Sequence, residues 1–320
     1  MNVAAREDVI PLTRSSIHAR SRPWAVLGVW AWDSALSLVG SVPAIALVRA
    51  AYGRHPDADA PLWAPGSLPL LGLLSRETNG VRAATATAAV VLLFGAVAGL
   101  VPLSALIISM STATREGHGI GGSRTIERAL RVLRPLAALL VVVSLAQGVV
   151  AATAFLLGEG AQSLAIRSLG EAFAQQLAVG VGGAVLLAAV ALGVAQDLAR
   201  AAVIRCGLGA MSALTLGVRA LGRAPIAIGW SWAWRALAGV APVVAVSLLA
   251  DRIGGRGGVA LIVLAVLHQS VILSRVALRA SWLAKAIRLI DRLDVDERAL
   301  ASSDERDGEF EGSSAALEQD

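Results

Sequence analysis

The sequence holds a single cysteine, Cys206, so it closes no internal disulfide and carries no cluster of thiolate metal ligands. In its amphipathic surroundings Cys206 reads as a small packing residue. Histidine is scarce too: His18, His55, His118 and His268 are scattered. No Gly-x-Ser-x-Gly, His-Glu-x-x-His or paired intramembrane aspartates accompany them, which argues against a nucleophilic triad, a metal site and enzymatic chemistry. Nothing in the residues calls for a cofactor. Lysine is nearly missing, with Lys285 alone against 27 arginines, and with abundant alanine and glycine this points to a GC-rich bacterial genome. A cleavable leader is also lacking: a polar lead with Glu7 and Asp8 precedes a long apolar run that no small-residue cleavage site follows, so that run is expected to stay in the mature protein.

Charge is what the interior of the chain lacks most. Only 16% of the 320 residues are charged, 56% are hydrophobic, and the mean hydropathy is +0.68. That is too apolar for an ordinary soluble domain and too long for one membrane span. Six runs reach spanning length, at about Trp24 to Val48, Ala83 to Ser111, Pro135 to Leu157, Leu177 to Gln196, Pro225 to Ala250 and Val259 to Ala280. Lipid offers no partner for a free peptide group, so each run must be helical. The expected fold class is all-α: a polytopic integral membrane bundle of six transmembrane helices with short amphipathic interfacial helices on the cytoplasmic side.

The net charge of +5 conceals two opposed regions, because from Asp291 onward there are eleven acids against three arginines, leaving 25 basic and 12 acidic residues before it. The organisation expected is a cytoplasmic lead over 1–22, the transmembrane domain over 23–290, and a disordered acidic tail over 291–320 that is open to a protein partner. The arginines of the body flank apolar runs, which makes anionic lipid headgroups their partner rather than nucleic acid. Segments on the side of the N-terminus hold 18 basic residues and the opposite loops hold 7, which places both ends in the cytoplasm of a bacterial inner membrane.

The stretch DLARAAVIRCGLGAMSALTLGVRALGRAPIAIGWSWAWR, Asp197 to Arg235, shows how the chain is built. Met211, Leu214, Val218 and Leu221 recur at helical spacing, with Arg219 and Arg223 on another side, and Pro225 then opens an apolar run. A second copy, TIERALRVLRPLAALL, puts Ile126, Ala129, Leu130 and Leu133 on one stripe and Arg128 and Arg131 on the wet side, with Arg134 before the proline. Proline suits a first helical turn, where its missing N–H would lack a partner anyway. Arg128, Arg131, Arg134, Arg219 and Arg223 are thus the candidate headgroup-binding residues. A further echo, GVWAWDSAL from Gly28 against GWSWAWRAL from Gly229, supports three basic-helix-led hairpins.

An ionisable group at membrane depth is a functional candidate until explained. Asp33, Arg235 and His268 fall at similar depths along their runs, with Gln147 and Gln269 near the same level, and the five form a candidate intramembrane polar cluster in which Asp33 pairs with Arg235. The plainer alternative is a structural pair, or an Arg235 that snorkels beside Trp230, Trp232 and Trp234 at the interface. GHGIGG, Gly117 to Gly122, follows a membrane run rather than a strand and reads as a hinge, not a phosphate cradle.

Six runs, with DLARAAVIRCGLGAMSALTLGVRALGRAPIAIGW leading into the fifth, resemble the membrane domain attached to some bacterial glycerophosphodiester phosphodiesterases and the stand-alone relatives of that domain. In that family the chemistry resides in a separate soluble barrel, so the resemblance implies a membrane module with no catalytic residue to carry over. The reading is a non-enzymatic anchoring, scaffolding or regulatory module of the cytoplasmic membrane; the alternative is a small transporter or channel built on Asp33, Arg235 and His268.

Overall fold

The computed structural model describes residues 22–53, 78–111, 122–253 and 258–316, and these residues form helices without a strand. In chain order the helices are α1 (Pro23–Tyr52), α2 (Thr78–Ala98), α3 (Leu100–Ser111), α4 (Gly122–Arg131), α5 (Leu133–Leu169), α6 (Glu171–Cys206), α7 (Ala210–Arg223), α8 (Pro225–Ile253) and α9 (Val259–Ala316). Among the described residues six stretches are long and apolar enough to cross a membrane: Pro23–Ala51, Thr78–Ser111, Leu133–Gly160, Glu171–Cys206, Pro225–Ala250 and Val259–Leu293. The protein is a multi-pass helical membrane protein. The proline-rich connection, the glycine run up to Gly121, and His18, His55 and His118 lie outside the described residues.

Local sequence sets the helix ends. Pro23 and Pro225 stand in first turns, where no N–H is missed. Gly170, at φ 88°, separates α5 from α6, and Gly207, at φ 65°, stops α6 in the left-handed conformation that glycine adopts without a Cβ penalty. The second span is α2 and α3 in series, stepping at Gly99 just before Pro102, which cannot donate back to the preceding turn.

The chain forms two compact units. The first comprises 1–137 with 230–282, and the second 138–229 with 283–320. In the first, α1 packs on α2 and α3, α2 on α3, and α3 on α4. Helix α3 is apolar all round and accordingly buried, with Leu100, Leu103, Leu106, Ile107, Ile108 and Met110 all shielded. Gly95 of α2 lies against Leu36 of α1, where a Cβ would collide, and Gly99, between α2 and α3, lies close to Trp32; small residues at this spacing let helix backbones approach in lipid.

In the second unit α7 packs on α6. Apart from Ala174 in the first turn, the buried residues of α6 fall in its last turns, an unbroken stretch from Val194 to Val203. At about 1.5 Å per residue, its 36 residues span about 54 Å, well beyond a hydrocarbon core of about 30 Å, so these turns extend past the apolar slab. That is where Gln196, Asp197 and Arg200 are buried, with Arg200 Nη1 donating to Asp197 Oδ1 at 2.8 Å.

Helix α9 runs on through residues 291–316, the segment expected to be disordered. The segment lacks the apolar residues to build a core, but it needs none to stay helical: extending a helix already formed adds one hydrogen bond per residue and avoids the costly nucleus. Its Ala, Glu, Leu and Arg favour that extension.

Candidate functional site

In the first unit, Ser34 Oγ of α1 donates to Gln269 Oε1 of α9 at 2.9 Å. His268, beside it, turns Nδ1 to the carbonyl of Leu264 one turn back, 2.9 Å away. Arg235 of α8 lies elsewhere on α9: its Nε donates to Ser281 Oγ at 3.3 Å and its Nη1 to Ser231 Oγ at 2.8 Å, while its guanidinium carbon sits 4.6 Å from the centre of the Trp234 ring. Gln269 and Ser281 are twelve residues apart on one helix, about 18 Å at about 1.5 Å per residue.

The five polar residues therefore divide. Asp33, adjacent to Ser34, shares a level with His268 and Gln269, and Arg235 is a long way along α9 from them. Gln147 belongs to the second unit, where its Nε2 donates to the carbonyl of Ala189 at 3.2 Å and ties α5 to α6. Depth counted along separate helices omits the offset between them. It also omits the tilt of helical side chains toward the helix N-terminus, which carries Arg235 back toward Ser231.

The charges that act on half-buried Asp33 are Arg279 and, after it, Arg275. Both belong to α9, whose N-terminal tilt leads their side chains back along the apolar span. The stem of Arg275 lies beside Gly239 of α8, where an added Cβ would meet its Cγ at 3.5 Å. These two arginines were counted in sequence as flanking charges only. The available signal was that the run Val259 to Ala280 already contains both.

On α9, Ala265, Val266, Gln269, Ser270 and Leu273 form with Trp30 of α1 an open groove of about 420 Å³. Its walls are almost wholly apolar, and the Trp30 indole N–H is buried without a partner. Trp24, Trp230 and Trp234 are exposed, the placement that suits aromatic rings at a lipid interface.

The two amphipathic helices share one design. In α4 the small residues Thr125 and Ala129 are buried, while Ile126 and Leu130 are 51% and 54% exposed, and Arg128, Arg131 and, just beyond, Arg134 are exposed as well. Arg131 pairs with Glu127 on the open surface. In α7 Ala213, Gly217 and Ala220 are buried, whereas Met211 and Val218 are exposed beside Arg219 and Arg223. Of the stripes read from sequence, Ile126, Leu130, Met211 and Val218 thus face away from protein, Leu133, Leu214 and Leu221 are half-buried, and Ala129 is buried with the other small residues that make the packing contact.

Sequence reading also missed the ties at the end of α6. Besides the buried Asp197–Arg200 pair, Arg205 Nε donates to Asp291 Oδ1 of α9 at 2.6 Å within the second unit. Among the described residues no three metal-ligating side chains gather. No family model matches the chain, and no curated protein or solved structure matches it either.

Proposed function

We propose that this protein is a non-enzymatic anchoring or regulatory module of the bacterial cytoplasmic membrane, with both termini in the cytoplasm and with α4 and α7 docked on anionic lipid headgroups. One observation carries the reading: each of these helices presents its small face to protein and leaves large apolar side chains and arginines together on the opposite face. In water such a face is unfavourable. At a headgroup layer Ile126, Leu130, Met211 and Val218 enter the acyl boundary while the arginines meet phosphate. The excess of basic residues on one side supports the orientation, and the acidic end of α9 supplies a surface for a basic cytoplasmic partner.

Hydrogen exchange on the full chain in nanodiscs tests the docking. Amides of α4 and α7 are expected to be better protected in phosphatidylglycerol than in phosphatidylcholine. High salt and replacement of Arg128, Arg131, Arg219 and Arg223 by Gln should each remove the difference. Equal protection in both lipids overturns the reading. The second reading, a small transporter, draws on Asp33 at membrane depth with two arginines acting on it. It requires that a cysteine placed beside Asp33 react with a water-soluble thiol reagent in intact vesicles, and protection of that cysteine rejects it.

A further inference from the structure

His268 and Gln269 lie nine and ten residues into α9, about 14 and 15 Å from its start at about 1.5 Å per residue, which is the middle of a hydrocarbon core of about 30 Å. At that depth no water satisfies a polar group, and ionisable side chains in a span turn to protein or to a cavity. His268 does neither and is exposed. Its Nδ1 faces the Leu264 carbonyl, which can only accept, so in the neutral ring the proton sits on Nδ1 and Nε2 is an acceptor that is unused among the described residues. Gln269 offers the converse. Its Oε1 accepts from Ser34 Oγ, and its amide NH2 finds no acceptor among the described residues. The residue is half-buried and lines the open groove beside Trp30.

Two adjacent residues thus present an unused acceptor and unused donors at mid-membrane. A phospholipid does not meet that need, because its ester and phosphate oxygens lie at the headgroup level, about half a hydrocarbon thickness away. An identical chain does. Turned about a two-fold axis, each copy supplies what the other lacks. The spacing along α9 agrees: Ile262, Ala265, Gln269 and Ile272 recur at the three- and four-residue steps of a helix-pairing seam, and all four are exposed or half-buried. In such a seam the side chain at Gln269 enters a hole on the facing helix whose rim includes the residue just before its counterpart, which is His268 of the second copy. Ala265, one turn earlier, is small enough for two backbones to approach.

We infer that the protein pairs with a second copy of itself along the first half of the α9 span, with the Gln269 amide of each copy donating to His268 Nε2 of the other. Such pairing is independent of headgroup docking by α4 and α7.

Energy transfer between full-length chains carrying donor or acceptor dyes, reconstituted in liposomes at falling protein-to-lipid ratios, measures the association. Wild-type chains are expected to pair. Gln269→Leu and His268→Leu should each weaken pairing about tenfold or more, since either change removes both symmetry-related bonds. His268→Gln keeps an acceptor at that position and should retain most of the pairing, a rescue that a merely structural role for the ring would not give. Ser34→Ala breaks the bond within the chain and should leave pairing unchanged. Ala265→Phe, at an exposed position, fills the seam without touching either polar group and should abolish pairing in a chain that still folds. With Cys206 replaced by Ser, oxidation in membranes should cross-link Ala265→Cys to its counterpart, while Val263→Cys, exposed on another face of α9, should not cross-link. Monomers at every ratio overturn the inference, as do equal cross-linking at both positions and unchanged pairing in both leucine variants. A different membrane protein or a lipophilic small molecule held at this face of a monomeric chain overturns it too, and assigns the unused groups to that ligand.

Discussion

Ser34 and Gln269 join α1 to α9 through a side-chain hydrogen bond at 2.9 Å, and this bond sets which residues face each other across the two antiparallel helices. Interhelical hydrogen bonds in membranes average about 0.6 kcal/mol and reach about 1.7 kcal/mol. A double-mutant cycle with Ser34→Ala and Gln269→Leu, read by unfolding in bicelles, should return a coupling in that range. A coupling near zero would show that α1 and α9 are held in register by packing alone.

Gly217 and Gly222 lie on the same helix and should respond oppositely to alanine. A Cβ at Gly217 would meet the Ala195 carbonyl oxygen at 2.6 Å and the Ala199 nitrogen at 3.1 Å, both backbone atoms of α6. Gly217→Ala should therefore lower stability by about 1–3 kcal/mol. At Gly222 nothing lies within 4 Å, and Gly222→Ala should raise stability by about 0.5–1 kcal/mol through helix propensity. Thermal melts of the two purified variants decide it.

The Arg205–Asp291 bond lies where α6 and α9 have run past the apolar slab, with side chains only 15% and 28% exposed. Asp291→Asn should cost about 1–3 kcal/mol, because it leaves a largely shielded guanidinium with a weaker acceptor. The exchanged pair, Arg205→Asp with Asp291→Arg, should recover part of that loss, and chemical denaturation of the single and double variants measures both.

Spin labels report on the outward faces of α4 and α7. With Cys206 replaced by Ser, single cysteines at Ile126, Leu130 and Val218 should show collisions with oxygen, which partitions into lipid, and few with a water-soluble nickel complex. Labels at Arg128 and Arg219 should show more nickel collisions. Equal accessibility at all five sites would place these helices in water.

The crossing segments were legible in sequence because the bilayer imposes a length and forbids charge over it. Which face of α7 meets protein was not legible. In water the large apolar side chains Met211 and Val218 would turn inward, but lipid accepts them outward, and close approach to α6 falls to Ala213, Gly217 and Ala220. The relative heights of the polar residues were not legible for a related reason. Asp33, Arg235 and His268 are at comparable distances from their own helix ends, yet the Ser34–Gln269 and Arg235–Ser281 bonds put them at different heights.

Where α7 approaches α6 most closely the contact is made of small residues: Ala195, Ala199, Ala213 and Ala220 are buried, and an added Cβ at Gly217 would meet backbone. Such a seam has almost no side-chain volume left to delete. A scan of this region would be one-sided, harmless toward smaller residues and damaging toward larger ones, so the chain can drift freely on its oily exterior while its seams admit hardly any change.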